Sequence, residues 1–385
     1  MIRVDDRIGC SGCTACQSVC PHDAIEMKAD AMGFRYPAVD MNLCVDCGLC
    51  EKVCDFVKPC ADSPKAGFSV MVNAARHRDP ASLASSQSGG TAAALAEMII
   101  SMGGAVYGAG INPDFTVSHS RAVTLEECES FKRSKYVQSD LSGVFRMVMK
   151  DLKDGMKVLF TGTPCQVAGL SSFIPESLKE NLLLVDMVCH GVPSPAVWKD
   201  YVAFMARKGT ISEIVFRNKD VGGWKMHNGT IRYSDGRIVV NNTFNVLFYK
   251  NIMFRPSCRV CPYHINNRKS DIIVSDFWGV GEILPEFDGP TGTSMVIANT
   301  HRGEEYIERL KDSLDMKQVE LSDGFLMRRN PNLFRPTRMD KDCVNFERKY
   351  TERGFLYVAR RWGDIGWRFK AWKLKVFVKN LLGIR

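Results

Sequence analysis

The sequence predicts a small α+β module followed by a larger α/β domain with a mixed sheet. Three observations carry that expectation. Eight cysteines crowd into residues 10–54, in two runs of the same spacing. From residue 67 onward, apolar runs of strand length alternate with helix-length segments, the pattern of an α/β chain. Between residues 212 and 242 that alternation gives way to SEIVFRN, GTIRYSD and GRIVVNN, a hairpin-rich section turning at Asp235-Gly236.

In chain order, residues 10–21 read C-x2-C-x2-C-x3-C-P, and residues 44–54 repeat the spacing, ending in Asp55 instead of Pro. Three cysteines two residues apart wrap one corner of a cubane, and Gly12 and Gly48 permit the tight turns. The fourth sits just inside a short helix and, in the bacterial two-cluster ferredoxin pattern, ligates the other cluster. The module is therefore expected to be ferredoxin-like, with two 4Fe-4S clusters. Cys10, Cys13, Cys16 and Cys54 are assigned to one, and Cys44, Cys47, Cys50 and Cys20 to the other. Zinc sites also use C-x2-C pairs, but two copies of an eleven-residue run with four cysteines each favour cubanes.

Residues 61–66 (ADSPKA) read as a linker, which sets the expected domains at 1–60, 67–335 and a basic helical tail at 336–385. VMVNAAR is a strand, SSQSGG a turn, and TAAALAEMIISM a helix that stops at Gly103-Gly104. GAVYGAGI is the next strand, residues 143–153 look helical, KVLFTG is a strand and PCQVAGLSSF opens a helix. LLLVDMV is nearly continuous in apolar residues, so it is expected to be buried on both faces. PAVWKDYVAFMARKG is a helix. DIIVSDFWG and TSMVIANT are late strands, and RGEEYIERLKDSL is an amphipathic helix.

Composition narrows the function. The 385 residues are 45% hydrophobic, enough for two or three domains. No run of 18 apolar residues predicts a membrane span. The start, MIRVDDRIGC, lacks an apolar signal region, so a cytoplasmic chain is expected. A reducing compartment favours metal ligation over disulfides for the fifteen cysteines. The net charge of +8 resides in residues 353–385, which carry nine Lys/Arg against Asp364 alone. The neutral body shows no nucleic-acid footprint.

Four later cysteines stand where sites assemble. Cys165 and Cys189 follow strands, at the strand ends where α/β sheets bind ligands, and Cys258 and Cys261 form a C-x2-C. Together they could give four thiolates to a third cubane. A C-x2-C is also a redox dithiol, and single buried cysteines are commonly inert, so spacing alone leaves this open. Cys60, Cys128 and Cys343 have no partner pattern and read as structural. SSQSGGT (85–91) and TGTP (161–164) each offer a helix N-terminus to phosphate, although each alone is an ordinary turn and cap. With KYVQS (135–139) they could surround a dinucleotide. One-electron clusters drive two-electron chemistry only through a carrier that accepts electrons singly and releases them in pairs, which points to a flavin.

SSQSGGT, SKYVQSD, VLFTGTPCQVAGL, VDMVCHGVPSP, FRNKDVGGW, FRPSCRVCPY and SDFWGVG together span roughly residues 68–300. In combination they resemble the coenzyme F-420 hydrogenase/dehydrogenase beta-subunit family, and the double-cluster module in front is similar to the electron-input subunit of F-420H2 dehydrogenases. The resemblance implies FAD, a further 4Fe-4S cluster on Cys165, Cys189, Cys258 and Cys261, and hydride exchange with a deazaflavin or another organic partner. It points to Gly89, Gly90, Thr91, Ser134, Lys135, Tyr136, Gln138, Gly162 and Thr163 as FAD neighbours. Arg133 stands where a glycine is expected before Ser-Lys-Tyr.

The expected function is an iron-sulfur flavoprotein oxidoreductase, linking an external one-electron carrier or partner redox subunit to a small-molecule hydride substrate such as F-420. The same domain occurs in ferredoxin-fed reductases of chlorophyll intermediates and in bacterial proteins encoded among surface-polysaccharide genes. A ferredoxin-dependent reductase of another substrate, or a relay subunit without its own turnover, therefore stands as an alternative. His190 is a candidate proton donor, or a histidine bonded to a cluster sulfur or a carbonyl. Trp224 and Lys225 are candidates to cover the flavin, or a plain loop aromatic and its neighbour. Asp276 orients a ligand loop or caps a turn. In the tail, Ile365, Phe369, Trp372 and Val376 recur at helical spacing among Lys/Arg. A 365–382 helix is thus expected to lie at the inner membrane face, dock on an acidic partner, or pack on the body.

Overall fold

A computed structural model describes residues 1–56, 58, 67 and 69–366. Strands β1 (Ile25–Ala29) and β2 (Arg35–Val39) form an antiparallel hairpin beside two short helices, Ala15–Val19 and Leu49–Lys52. The body is built on β3 (Ser69–His77), β4 (Ala105–Ile111), β5 (Val117–Ala122), β6 (Val158–Gly162) and β7 (Leu182–Met187). A separate antiparallel sheet comprises β8 (Ile211–Val215), β9 (Thr230–Tyr233) and β10 (Ile238–Val240). Strands β11 (Ile272–Asp276), β12 (Ser294–Ala298) and β13 (Leu314–Ser322) complete the large sheet.

That sheet has eight strands in the order β13-β3-β12-β11-β7-β6-β4-β5. Its centre, β11-β7-β6-β4, is parallel, and both flanks are antiparallel. The expected mixed α/β sheet is present. Leu182 to Asp186 are all buried, as a central parallel strand covered on both faces requires. Val106, Leu159 and Leu183 face helices Thr91–Ser101 and His301–Arg309. Phe160, Leu182 and Leu184 face helices Val144–Lys153 and Pro164–Phe173. Each such buried side chain contributes roughly 1.5–3 kcal/mol of transfer free energy.

The N-terminal module is not a bead on a tether. Ala15 and Val53 enter the core formed with Leu170 and Phe145, and Met32 and Phe34 enter a second, aromatic core with Trp198, Tyr201 and Phe244. Helix Cys343–Arg361 closes that second core with Phe346, Tyr350, Phe355 and Val358. The expected basic tail therefore begins as a docked helix. Residues 367–385, which carry most of the proposed interface helix, lie outside the described residues, as does Cys60. Among the described residues no helix is long and apolar enough to cross a membrane.

Candidate metal centres

The two cysteine runs fold alike. In each, the third and fifth positions are left-handed: Gly12 (φ 72°) and Thr14 (φ 66°) in the first, Asp46 (φ 51°) and Gly48 (φ 72°) in the second. Two such turns bend the backbone around a common point, so three cysteines converge and the fourth is carried off by the helix. Sequence reasoning found the two glycines but missed Thr14 and Asp46, because their side chains tolerate this conformation without announcing it.

The carried-off cysteines cross over. Cys20 lines one cavity with Cys44, Cys47 and Cys50, between Ile25 and Val39. The backbone N–H of Ile2 donates to Cys50 Sγ at 3.2 Å. Burial, with the neighbouring charges of Cys10, Cys54 and Cys165, pushes Cys13 up to about 12. Cys16 is raised by burial and by Cys13, Cys10 and Cys54. Thiols that cannot be left ionised in a dry site, and that crowd one another, ask for cations to hold them as thiolates. Both groupings match the assignment made from spacing. Among the described residues, no three His, Cys, Asp or Glu side chains converge as ligands of a single ion would. A cubane makes a different demand, since each of its four irons takes one thiolate.

A third group gathers at the C-terminal ends of neighbouring parallel strands. Cys165 follows β6, Cys189 follows β7, and Cys258 and Cys261 come from the turn Pro256–Val260 and its cap. Burial and Cys261 push Cys165 up to about 11. Burial and Cys165 push Cys189 up to about 12. Cys258 is raised by burial and by Cys189, Cys165 and Cys261, and Cys261 rises to about 11 through burial and Cys189. Backbone N–H groups already point at sulfur: Gly191 to Cys189 at 3.4 Å and Val192 to Cys258 at 3.5 Å. The donor set and its dry surroundings fit a cubane.

The first and third groups are neighbours. Cys13 feels Cys165, and Tyr263 lies among Cys165, Cys13 and Cys261, its hydroxyl 3.2 Å from Asp55. Gly169, on the helix that carries Cys165, packs so tightly on Cys13 that an added Cβ would lie 2.7 Å from Sγ. Order along the molecule is thus Cys20/44/47/50, then Cys10/13/16/54, then Cys165/189/258/261. Cys47, at the far end, is the exposed one among the described cysteines. Cys128 is buried in the core beside Leu95 and Leu159, away from these groups, and Cys343 opens the C-terminal helix.

The residues expected around FAD divide. Gly90 (φ 82°) opens helix Thr91–Ser101 without a side-chain cap. Beside it, Ser86 Oγ, the Gln87 amide and Thr91 Oγ1 are buried without partners. Arg217 Nε, Trp224 Nε1 and His227 Nε2 are likewise unpartnered. Orphaned donors at an open helix N-terminus fit a polyphosphate-bearing cofactor. Gly89 answers a different need: a Cβ there would collide with Ala75 O and Ser294 N, so it serves close packing against β3 and β12. Lys135, donating to Lys132 O at 2.6 Å, is pushed down to about 7 by burial and by Arg133. Tyr136 stacks on Phe248 at 4.3 Å. Arg133 has φ 68°, so it adopts the conformation a glycine would supply.

Three expectations shift. Gln138 faces the N-terminal module, donating to Ser11 O and accepting from Arg255, because both ends of its amide are used there. Thr163 forms a capping box with Gln166 and lies 3.2 Å from Cys165 Sγ, so the loop through Gly162 serves the third cysteine group. His190 has Nε2 2.8 Å from Asn251 Oδ1 and Nδ1 3.1 Å from Asn332 Oδ1. A proton donor needs a nitrogen turned to substrate, and both are engaged. Trp224 stacks on Trp278 at 4.7 Å, and Arg217 binds both Asp276 and Trp224 O, joining two motifs that lie far apart in sequence. Lys225 pairs with Asp288.

Fold and cysteine groups define an iron-sulfur electron-transfer protein. Residues 9–56 match the 4Fe-4S dicluster domain, and residues 155–323 match the C terminus of the coenzyme F420 hydrogenase/dehydrogenase beta subunit. The chain belongs to that family, with the dicluster domain in front. It is similar to the F subunit of the F(420)H(2) dehydrogenase of Methanosarcina mazei, at 21% identity over 319 residues covering 80% of this chain and 84% of the relative. A chain of the F420-reducing [NiFe] hydrogenase complex from Methanosarcina barkeri shares the fold, with 17% identity, a TM-score of 0.50, and coverage of 76% of this chain and 96% of that one.

Proposed function

We propose that the chain is an iron-sulfur flavoprotein oxidoreductase that carries single electrons through three 4Fe-4S clusters to FAD and exchanges a hydride with F-420 or a similar organic molecule. In this reading residues 1–60 are the electron port and residues 67–335 the body that pairs electrons. Cys44, Cys47, Cys50 and Cys20 hold the outer cluster, Cys10, Cys13, Cys16 and Cys54 the inner one, and Cys165, Cys189, Cys258 and Cys261 the third. When bound, the clusters supply one-electron steps and the flavin supplies the conversion to a two-electron one.

The observation that carries the proposal is the contact between Cys13 and the Cys165 helix through Gly169, which leaves no spacer between the module and the body. At the outer end, Cys47 is ringed by exposed Met41, Leu43, Val45 and Leu49, an apolar contact surface for a partner redox subunit or carrier. In the body, Ser86, Gln87 and Thr91 supply donors for the FAD phosphates, and Lys135 supplies an amine able to take up charge beside an anionic flavin edge. Trp224, Trp278 and His227 form an aromatic wall suited to a planar substrate. His190 holds Asn251 and Asn332 and moves no proton.

The test is a donor comparison on anaerobically purified protein. Bound flavin bleached by F-420H2 supports F-420 as the partner. Flavin reduced by ferredoxin and inert to F-420H2 assigns another substrate. Clusters without flavin reduce the chain to a relay.

A further inference from the structure

We infer that Arg255 is the charge partner of the cluster on Cys10, Cys13, Cys16 and Cys54, setting that cluster's reduction potential and clasping the N-terminal module to the body. The inference rests on the proposed assignment of those cysteines.

Three arginines of the described chain are buried: Arg217, Arg255 and Arg268. Two obey the usual rule that a buried guanidinium is paired. Arg217 meets Asp276 at 2.6 Å and Arg268 meets Asp186 at 2.6 Å. Arg255, 1% exposed, has no carboxylate within ion-pair distance among the described residues. Its hydrogen bonds go to neutral acceptors: Nε to Cys10 O at 2.8 Å, Nη1 to Gln138 Oε1 at 3.0 Å, and Nη2 to Arg35 O at 2.9 Å. Its ring partners, Tyr36 at 4.2 Å and Phe34 at 5.6 Å, disperse charge without cancelling it. The guanidinium cannot shed its proton, so the cation must be balanced by something beyond those partners.

One contact shows where. Nη2 also lies 3.6 Å from Cys10 Sγ. A cubane with four thiolates is anionic, and gains one further negative charge on reduction. A buried cation at a ligand sulfur therefore favours the reduced form. The fit is steric as well: a Cβ on Gly12 would stand 2.7 Å from Nη1. Since Arg255 precedes the turn bearing Cys258 and grips Cys10 and Arg35, one side chain spans body and module. The same charge that raises the potential becomes a liability when iron is absent, because nothing then offsets it.

The experiment uses full-length, cluster-loaded protein. In EPR-monitored redox titrations, Arg255→Gln lowers the midpoint of one centre by at least tenfold in its reduction equilibrium, 59 mV for a one-electron couple. Arg255→Lys keeps part of the shift, since it retains a point charge without the fork. Hydrogen exchange over residues 1–56 provides a second readout. Arg255→Gln speeds exchange in loaded protein and slows it in iron-free protein, where a purely structural clamp would speed both. Unshifted midpoints with three centres present, or faster exchange in both forms, overturn the inference and leave the proposed wire standing. Wild-type protein lacking the Cys10 centre removes both.

Discussion

Gly169→Ala sets two effects against each other at the module's contact with the body. Gly169 lies inside helix Pro164–Phe173, where alanine is favoured over glycine by about 1 kcal/mol. Propensity alone predicts a more stable protein. The new methyl would stand 2.7 Å from Cys13 Sγ and 2.8 Å from Cys13 Cβ, with Phe145 at 3.5 Å on its other side. Carbon contacts settle near 3.5–4.0 Å, so a gap of roughly 1 Å has to open. Overpacking of this kind costs about 1–3 kcal/mol, leaving a net loss of roughly 0–2 kcal/mol. A sulfur fixed to iron cannot retreat, so the strain falls on the inner cluster. The assay pairs thermal unfolding with iron content and the inner cluster's EPR signal. Loss of that signal with a lower midpoint is expected. Full iron with a raised midpoint would show that Cys13 is not pinned there, and would refute the proposed contact.

Three further outcomes follow from the same geometry. Cys20→Ser and Cys54→Ser each remove about four irons per chain and abolish different EPR signals; loss of the same signal in both would break the crossed assignment. Arg133→Gly relieves a left-handed backbone and should add up to about 1 kcal/mol in chemical denaturation, whereas a larger loss would mean that its contacts with Ser85 O and Glu213 outweigh the strain. Burial holds His119 down at about 4. The unfolded chain takes that proton near 6.5, so stability is full above that pH and falls by roughly 3 kcal/mol on descending to pH 4. His119→Gln should flatten this acid limb, and parallel pH profiles for the two proteins would refute it.

Much of the molecule was legible because covalent ligation imposes spacing. The cysteine runs prescribe which four thiols meet, and the cavity around Cys20, Cys44, Cys47 and Cys50 has that composition. The buried centre of the sheet was legible from LLLVDMV for a similar reason: a strand covered on both faces has no polar side to show. Edges were not. β5 and β13 alternate burial and exposure irregularly, so their apolar periodicity is faint. The C-terminal helix was read as part of a basic tail because Gly354, at φ 73°, breaks its period between Tyr350 and Phe355. Gln138 was placed beside FAD by its neighbours in sequence, yet its amide turns to Ser11 and Arg255. No local pattern marks Arg255 itself, whose importance arises from a contact made across 245 residues.

Metal and flavin content of protein isolated without air tests the central claim most directly. About twelve irons with matching sulfide, and one FAD per chain, are expected from three four-iron cubanes. About eight irons would remove the centre on Cys165, Cys189, Cys258 and Cys261, and a colourless or zinc-only protein would contradict the electron path altogether.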